Sequence, residues 1–535
     1  MSGATLQSQG GFVETSGHVL KTDDVSVLAK DWLLDPYNVT IAASASGTAY
    51  SDPGTTYNYT PTATSTIKAS DIATSLNNGT NVTISTGAAG SAGADVGDIN
   101  VNAPISTTGA TNTSLTLQAA RNIVFASNST ITRSGAGKLD VTLNSNYGTA
   151  NSGYIVMNSG SGITSNGGNI VLGGGSAGDG SGYAYGNFSV SNAASPAVPA
   201  RGTGVQLLGA TLNSGAGNIT IHGKGDPSDT NWYMYGVLID SSTRNTGGTG
   251  SQVTTTGGNI DITGTGGGSG GSIANVGIQV DYNSVVKAQG SGNLTMTGTG
   301  GTSATGSLND GFYISNGAAL STVNGTLSMT GVAGPSGSTG GQSEGLYLLN
   351  GSSIKSTGTG SVNLTLTGGQ GGTTNNGLRM DTGSANTIST NSGNLSITAT
   401  AGTTTATTGT ATTSFGITST GPANTISSTS GNVTLTSDAM KWDTATSISA
   451  AAGTLTLQNQ TANTLINVGG TSSDIAGADG TRKLDISTAE WARLSAKKLV
   501  VGNTVSGDLT VSAATTWNND LSLISGNNLW VSAAL

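Results

Sequence analysis

The chain has 535 residues, of which 85 are glycine, 8% are charged and 4% are aromatic, and its formal net charge is -9. This acidic balance, with lysine and arginine scarce, argues against a nucleic-acid partner or an anionic membrane surface. The absence of cysteine excludes disulfides and cysteine nucleophiles, and no apolar run is long enough for membrane insertion.

Short runs of Val, Ile and Leu that alternate with polar residues recur along the chain. Near the N-terminus the runs are GGFVETSGHVL (10–20) and WLLDPYNVTI (32–41). Alternation with a period of two is typical of half-buried strands. Glycine, serine, threonine and asparagine separate the runs, so the sequence predicts many short strands joined by turns.

From about residue 204 onwards, a longer unit of three short strands is repeated. It ends in SGNLTMTG (291–298), and near-copies of that ending stand at 216–223, 257–264, 360–368, 392–399 and 430–437. Each unit of about 20 residues is followed by a variable Gly/Thr insert, a spacing typical of solenoids. Within the unit at 291–298, Leu294 and Met296 are predicted to point inward, whereas Asn293, Thr295 and Thr297 point outward.

Such short strands cannot bury an apolar face alone, but a coil of three stacked on its neighbours encloses a continuous core. The predicted fold class is therefore all-β, a right-handed parallel β-helix (β-solenoid) with variable Gly/Thr-rich inserts at one corner. Near the C-terminus, Ser487 and Glu490 form a Ser-x-x-Glu capping box, which predicts one short helix. The chain stops within what reads as a strand, so we expect a fragment of a longer protein.

Several segments resemble the secreted partner of two-partner (type Vb) secretion systems, the filamentous haemagglutinin and high-molecular-weight adhesin family. They are GGFVETSG (10–17) with WLLDPYNVTI (32–41), SLTLQAARNIVF (114–125), DISTAEWARLSAKKLVVG (485–502) and GNNLWVSA (526–533). The resemblance divides the chain into a haemagglutinin-like segment at 1–41, a β-helix at 42–480 and haemagglutinin-like coils at 481–535. The family's N-terminal secretion domain, with its Asn-Pro-Asn motifs, is not in this sequence.

The resemblance implies a bacterial adhesin, secreted or displayed on the outer-membrane surface, that acts in cell adhesion and virulence. Its partner would be a glycan or protein on a host cell, and the parent protein would be exported through an outer-membrane two-partner secretion transporter. Two alternatives remain open. One is an inert structural stalk that displays a distal binding or toxic tip, and the other is a polysaccharide lyase or hydrolase on a β-helix.

Two groups of residues are candidates for ligand binding. The outward position of the first strand is Gln279, Tyr313, Tyr347 and Arg379 in successive coils, and aromatic rings beside a planar cation suit a sugar or acidic ligand. The second group is Trp232, Tyr233 and Tyr235 in one insert, because binding residues concentrate on loops held by rigid scaffolds. A purely structural role, as a cross-strand ladder or as packing over the coil, is the alternative for both groups.

Asparagine sequons (Asn-x-Ser/Thr) are frequent, and five near the third strand are glycosylation candidates: Asn218, Asn293, Asn363, Asn394 and Asn432. The resemblance implies that such sites are hexosylated in the bacterial cytoplasm. The alternative is that a chain rich in Asn, Ser and Thr generates sequons by chance and that asparagine stacks well at β-helix corners.

Enzymatic chemistry has little support in the sequence, so catalytic residues, metal sites and cofactors are not expected. Sugar-cleaving sites need clustered acids and bases, whereas the carboxylates here are scattered. His18 and His222 are the two histidines of the chain, and His222 has no evident acidic partner in the sequence.

Overall fold

The computed structural model describes residues 2–17, 20–36, 38–44, 65–86, 97–147, 152–187, 202–243, 248–303, 306–335, 342–372, 374–381, 383–403, 414–421, 423–470, 474 and 482–535. His18 lies outside these residues. Strands make up 48% of the structure and helices 3%, and long parallel sheets form a β-helix that does not close into a barrel. The predicted all-β, parallel β-helix class is therefore confirmed.

The chain divides into two compact units. Unit 1 comprises Met1–Lys224 and Val237–Asp261, and unit 2 comprises Gly225–Gly236 and Ile262–Leu535. Within the part of unit 1 that the structure describes, helix α1 is Ala69–Asn77. The strands β1 to β22 are Thr5–Gln7, Phe12–Ser16, Ser26–Leu28, Asp31–Asp35, Val39–Ala42, Ser65–Lys68, Asn81–Ser85, Ile99–Val101, Ile105–Thr107, Thr113–Gln118, Ile123–Phe125, Thr130–Arg133, Leu139–Ser145, Ile155–Met157, Gly162–Thr164, Ile170–Gly174, Ala184–Tyr185, Val205–Leu208, Thr211–Asn213, Ile219–Lys224, Val237–Asp240 and Gln252–Thr255.

The core of unit 1 is a set of aliphatic columns, because parallel pairing places the same inward position of each coil directly above the last. One column joins β5, β8, β11, β14, β18 and β21 through fully buried residues: Val39, Ile99, Ile123, Ile155, Val205 and Val237. Complete burial of a side chain of this size contributes about 1.5–3 kcal/mol before the entropy cost. Each coil is therefore stabilised by its neighbours in the unit.

Helix α1 was not predicted from the sequence. Its buried face carries Ile72 and Leu76 four residues apart, with Ala69 and Ala73 on the same side. The N-cap is Lys68, whose side chain makes no capping hydrogen bond, so the usual sequence signal for the start of a helix is missing here. The i, i+4 spacing of Ile72 and Leu76 was the signal that could have revealed it.

Unit 2 repeats the three-strand plan with greater regularity. Most of β23 belongs to it, and β23 to β46 are Ile260–Thr265, Ile278–Val280, Val285–Ala288, Leu294–Thr299, Phe312–Ile314, Ala319–Thr322, Leu327–Val332, Leu346–Leu349, Ser353–Ser356, Val362–Thr367, Leu378–Asp381, Thr387–Thr390, Leu395–Thr400, Ile417–Ser419, Thr425–Ser428, Val433–Thr436, Met440–Trp442, Ser447–Gln458, Leu465–Gly470, Lys483–Ser487, Leu494–Gly502, Leu509–Val511, Asp520–Ile524 and Leu529–Val531. The core column at the first strand is Ile278, Phe312, Leu346, Leu378, Ile417 and Met440. Between β23 and β36, each insert follows the third strand of its coil.

The inward and outward positions predicted for β26 are confirmed. Leu294 and Met296 are fully buried, Asn293 and Thr295 are exposed, and Thr297 is half-buried. The predicted C-terminal helix is also present, as α2 (Thr488–Trp491) with both hydrogen bonds of the capping box. Neither helix in the described part of the chain combines the length and apolar character that crossing a membrane requires.

Asparagine side chains link successive coils at the corner before the third strand. In unit 2, Oδ1 of Asn394 accepts a hydrogen bond from the backbone N–H of Asn432 at 3.0 Å, and Oδ1 of Asn432 accepts one from Thr454 at 2.9 Å. In unit 1, Oδ1 of Asn218 accepts from the N–H of Asn259 at 2.8 Å. We call these residues the corner asparagines. They satisfy backbone groups that the turn between strands leaves unpaired.

Candidate ligand-binding surfaces

The first candidate surface is the column Gln279, Tyr313, Tyr347 and Arg379, here called the Tyr–Arg ladder. The strand pairing places each residue opposite the next, so the predicted register is confirmed. The rings of Tyr313 and Tyr347 meet edge to face with centroids 5.5 Å apart, and the Arg379 guanidinium lies 4.7 Å from the centre of the Tyr347 ring. Gln279 is buried and donates a hydrogen bond to Asp281.

The Arg379 guanidinium is already bound by side chains of its own unit. It donates to Oδ2 of Asp381 at 2.6 Å and to Oε1 of Gln342 at 2.6 Å, and it lies 3.3 Å from Oε1 of Glu344. Burial lowers the pKa of Arg379, but Tyr347, Glu344 and Asp381 outweigh it and the net shift is upward. An anionic ligand would have to compete with carboxylates that are already in place.

Two carboxyl groups are buried behind this guanidinium. Glu344 accepts hydrogen bonds from the backbone N–H and the side-chain amide of Asn376, and burial raises its pKa to about 7. The backbone N–H of Glu344 donates to Oδ1 of Asp310 at 2.6 Å. Oδ2 of Asp310 has no hydrogen-bond partner among the described residues. Burial, together with the nearby Glu344, raises the pKa of Asp310 well above its ordinary value.

The tyrosines of the ladder are half-buried. Burial, with smaller contributions from Asp281 and Asp310, raises the pKa of Tyr313 to about 12. Burial also raises the pKa of Tyr347, whose hydroxyl donates to Oδ2 of Asp381 at 3.3 Å. Both phenols are therefore neutral at physiological pH, and the ladder is a packed, internally hydrogen-bonded cluster whose two tyrosines are partly accessible.

The second candidate surface is the insert within Gly225–Gly236 of unit 2, here called the aromatic insert. The indole of Trp232 is 53% exposed and meets the Tyr233 ring edge to face, with centroids 6.3 Å apart. Tyr235 was predicted as part of this surface, but it is only 2% exposed. Its ring lies 6.1 Å from that of Tyr233, so Tyr235 supports the surface from below and cannot itself contact a ligand.

Hydrogen bonds from the next coil hold the aromatic insert in place. The backbone N–H of Tyr233 donates to the carbonyl of Ile273 at 3.1 Å, and the hydroxyl of Ser269 donates to the carbonyl of Ser228 at 2.9 Å. Tyr233 has a φ of 72°, a left-handed conformation that is strained for a bulky side chain. Ala274, with a φ of 59°, turns the same corner in the next coil, so this bend is a repeated feature of the inserts.

Four of the five candidate sequons, at Asn218, Asn293, Asn394 and Asn432, lie at the corner before the third strand, and all five asparagines are exposed. Asn363 is displaced into its strand, where it pairs with Ser328 and Ser396, because Val362 takes the inward position that Leu294 occupies in its own coil. A corner asparagine accepts a hydrogen bond from the next coil through Oδ1, whereas a sugar would be attached to Nδ2. Glycosylation would therefore leave this hydrogen bond intact. The geometry is thus compatible with glycosylation, which stays a prediction.

His222 in unit 1 does have an acidic neighbour, so the expectation that it lacked one is wrong. Its Nε2 lies 3.9 Å from Oδ1 of Asp261, and its Nδ1 lies 3.0 Å from the carbonyl oxygen of Ser181. The nearby Asp261 carboxylate is the main cause that raises the pKa of His222. Within the described ranges, no group of three or more His, Asp or Glu residues is placed to hold a metal ion.

Comparison of the sequence with models of known protein families and with curated proteins found no match to either.

Proposed function

We propose that this chain is a passenger segment of a secreted or surface-displayed bacterial adhesin of the two-partner secretion type, and that it attaches to glycans or proteins of host cells. The observation that carries the adhesive part is the aromatic insert. Trp232 is more than half exposed on a loop whose backbone is hydrogen-bonded to the next coil. A large, preorganised aromatic surface binds with little loss of conformational entropy.

The secretion part of the proposal rests on the resemblance of the N-terminal segments. The segments at 10–17 and 32–41 supply adjacent parallel strands, β2 and β4, in which Val13 pairs with Trp32. The Trp32 indole is buried and donates to the hydroxyl of Thr15 at 3.0 Å. Residues of both segments thus support each other in unit 1, which fits a role as the first coils after an export domain.

An inert stalk is the second candidate, and one observation favours it. The single guanidinium of the Tyr–Arg ladder is engaged by Gln342, Glu344 and Asp381, and the corner asparagines pair with neighbouring coils. These polar groups therefore serve the β-helix itself.

Binding of the purified, fluorescently labelled chain to a glycan array and to epithelial cells tests the proposal, after circular dichroism has established β-structure. We expect saturable binding that is lost in Trp232→Ala and retained in Trp530→Ala, because Trp530 is as exposed, at 56%, but lies in strand β46. If binding is lost only in Tyr313→Ala and Tyr347→Ala, the binding site is the Tyr–Arg ladder and not the aromatic insert. A folded chain that binds neither glycans nor cells would refute the adhesin and leave the stalk.

A further inference from the structure

The charges around the aromatic insert restrict what it can bind. Within Gly225–Gly236 the only charged residues are Asp226 and Asp229. The neighbouring insert at 266–277, whose residues hold the aromatic insert, contains no charged residue. Both charged residues of the aromatic insert are therefore acidic, and Asp229, the half-buried one of the two, stands three residues before Trp232.

The polar groups beside Trp232 suit hydroxyl ligands. Asn231 and Thr230 are exposed and Asp229 is half-buried. Oδ1 of Asp229 accepts hydrogen bonds from the backbone N–H of Asn231 at 2.7 Å and from its side-chain amide at 2.6 Å. This arrangement fixes a carboxylate and an amide on the same short loop as the exposed Trp232, so hydrogen-bond acceptors and an apolar ring are presented together.

The position of Trp232 is a surface position in the next coil as well. The hydrogen bond from Tyr233 to Ile273 aligns the two inserts, and Ile273, which takes the position of Trp232, is half-buried. An indole followed by an aliphatic side chain makes a short apolar strip with a polar, acidic rim. A pyranose ring has matching chemistry, because one face presents C–H groups and its edge presents hydroxyls.

We propose that the aromatic insert binds neutral saccharides and discriminates against saccharides that carry a carboxylate or sulfate. This inference rests on the proposed adhesive function and adds the class of ligand. The C–H face of the sugar packs on Trp232, hydroxyls at the edge of the ring donate to Asp229, and the Asp229 carboxylate repels an anionic substituent. Because that repulsion acts between partly solvated charges, it weakens as salt is added.

Paired immobilised glycans that differ only by a terminal sialic acid or a sulfate provide the test, with the intact 535-residue chain. We expect the neutral member of each pair to bind at least about tenfold more tightly, which corresponds to about 1.4 kcal/mol. Trp232→Ala should abolish binding to both members. Asp229→Asn keeps an Oδ1 acceptor for Asn231 and should reduce the difference in affinity between the neutral and the anionic glycan. Raising the ionic strength should have the same effect.

The outcomes separate this inference from the proposed function. Equal or tighter binding of the anionic member, still dependent on Trp232, would overturn the inference and leave the adhesin intact. Binding that Trp232→Ala does not change would also overturn it, since the site would lie elsewhere on the chain. Binding to no glycan and no cell would refute the proposed function itself.

Discussion

Replacing Glu344 by glutamine should make the Tyr–Arg ladder more stable at neutral and alkaline pH. Glu344 has a side chain of zero exposure, with Asp310 behind it and Arg379 and Asp381 on the guanidinium side. Ionisation of Glu344 adds a negative charge to this buried cluster, and the Arg379 guanidinium opposes that charge only in part. Glutamine keeps an oxygen that accepts from the Asn376 N–H but carries no charge.

The magnitude follows from the raised pKa of Glu344. Burial moves it from 4.5 to about 7, and at about 1.4 kcal/mol per pKa unit this difference is worth about 3 kcal/mol. The folded state binds the proton more tightly than the unfolded chain. The contribution of Glu344 to stability is therefore fully present below pH 4.5 and is lost as the pH rises through about 7. The upward shift in the pKa of Asp310 acts in the same direction.

Hydrogen exchange measured by mass spectrometry is the suitable assay, because solenoids open locally and need not unfold in one step. Peptides that cover β30, which follows Glu344, should exchange faster at pH 8 than at pH 5 after correction for the intrinsic rates. The Glu344→Gln protein should lose most of this difference. Glu14→Gln, at an exposed position in unit 1, is the matched control and should behave as the wild type. The same pH dependence in wild type and Glu344→Gln would refute the reasoning.

Three further predictions concern the coils and their surface. Phe312→Ala should lower the stability of unit 2 by about 3–5 kcal/mol in urea denaturation, because Phe312 is fully buried in the first-strand core column. Asn394→Ala should lower the free energy of unfolding by about 1 kcal/mol, because the hydrogen bond from the Asn432 N–H is lost. Asn363→Ala should lower it by less. Co-expression with a cytoplasmic N-glycosyltransferase should raise the intact mass in hexose steps, one of which Asn218→Gln removes; an unchanged mass contradicts this.

The repeat and its register could be predicted from the sequence because both depend on the alternation of apolar and polar residues. Stacking in register sets Tyr313 opposite Tyr347 and Tyr347 opposite Arg379 once the inward residues are aligned. The same reasoning explains the displaced sequon. Asn363 was aligned by its similarity to neighbouring repeats, but the apolar Val362 fixes the face of the strand and carries Asn363 away from the corner.

The environment of the candidate sites could not be predicted in the same way. Gln342 and Glu344 bind Arg379 from the end of an insert, and no periodic pattern specifies how an insert folds over a strand. Tyr233 and Tyr235 are two residues apart and would share a face in a regular strand, but the left-handed bend at Tyr233 breaks that pattern. Sequence patterns thus located the aromatic residues but did not distinguish the exposed ring from the buried one.

The two surfaces differ in the interactions that a ligand would have to replace. A ligand that used Arg379 would displace charge-assisted hydrogen bonds to Asp381 and Gln342, each worth about 1.5–3 kcal/mol, and would leave carboxylates without their cation. A ligand on Trp232 displaces only water from an indole that is already exposed. Ligand binding is therefore favoured where an insert presents an aromatic ring whose surface is not already occupied by hydrogen bonds within the β-helix. For this reason the aromatic insert is a stronger candidate than the Tyr–Arg ladder.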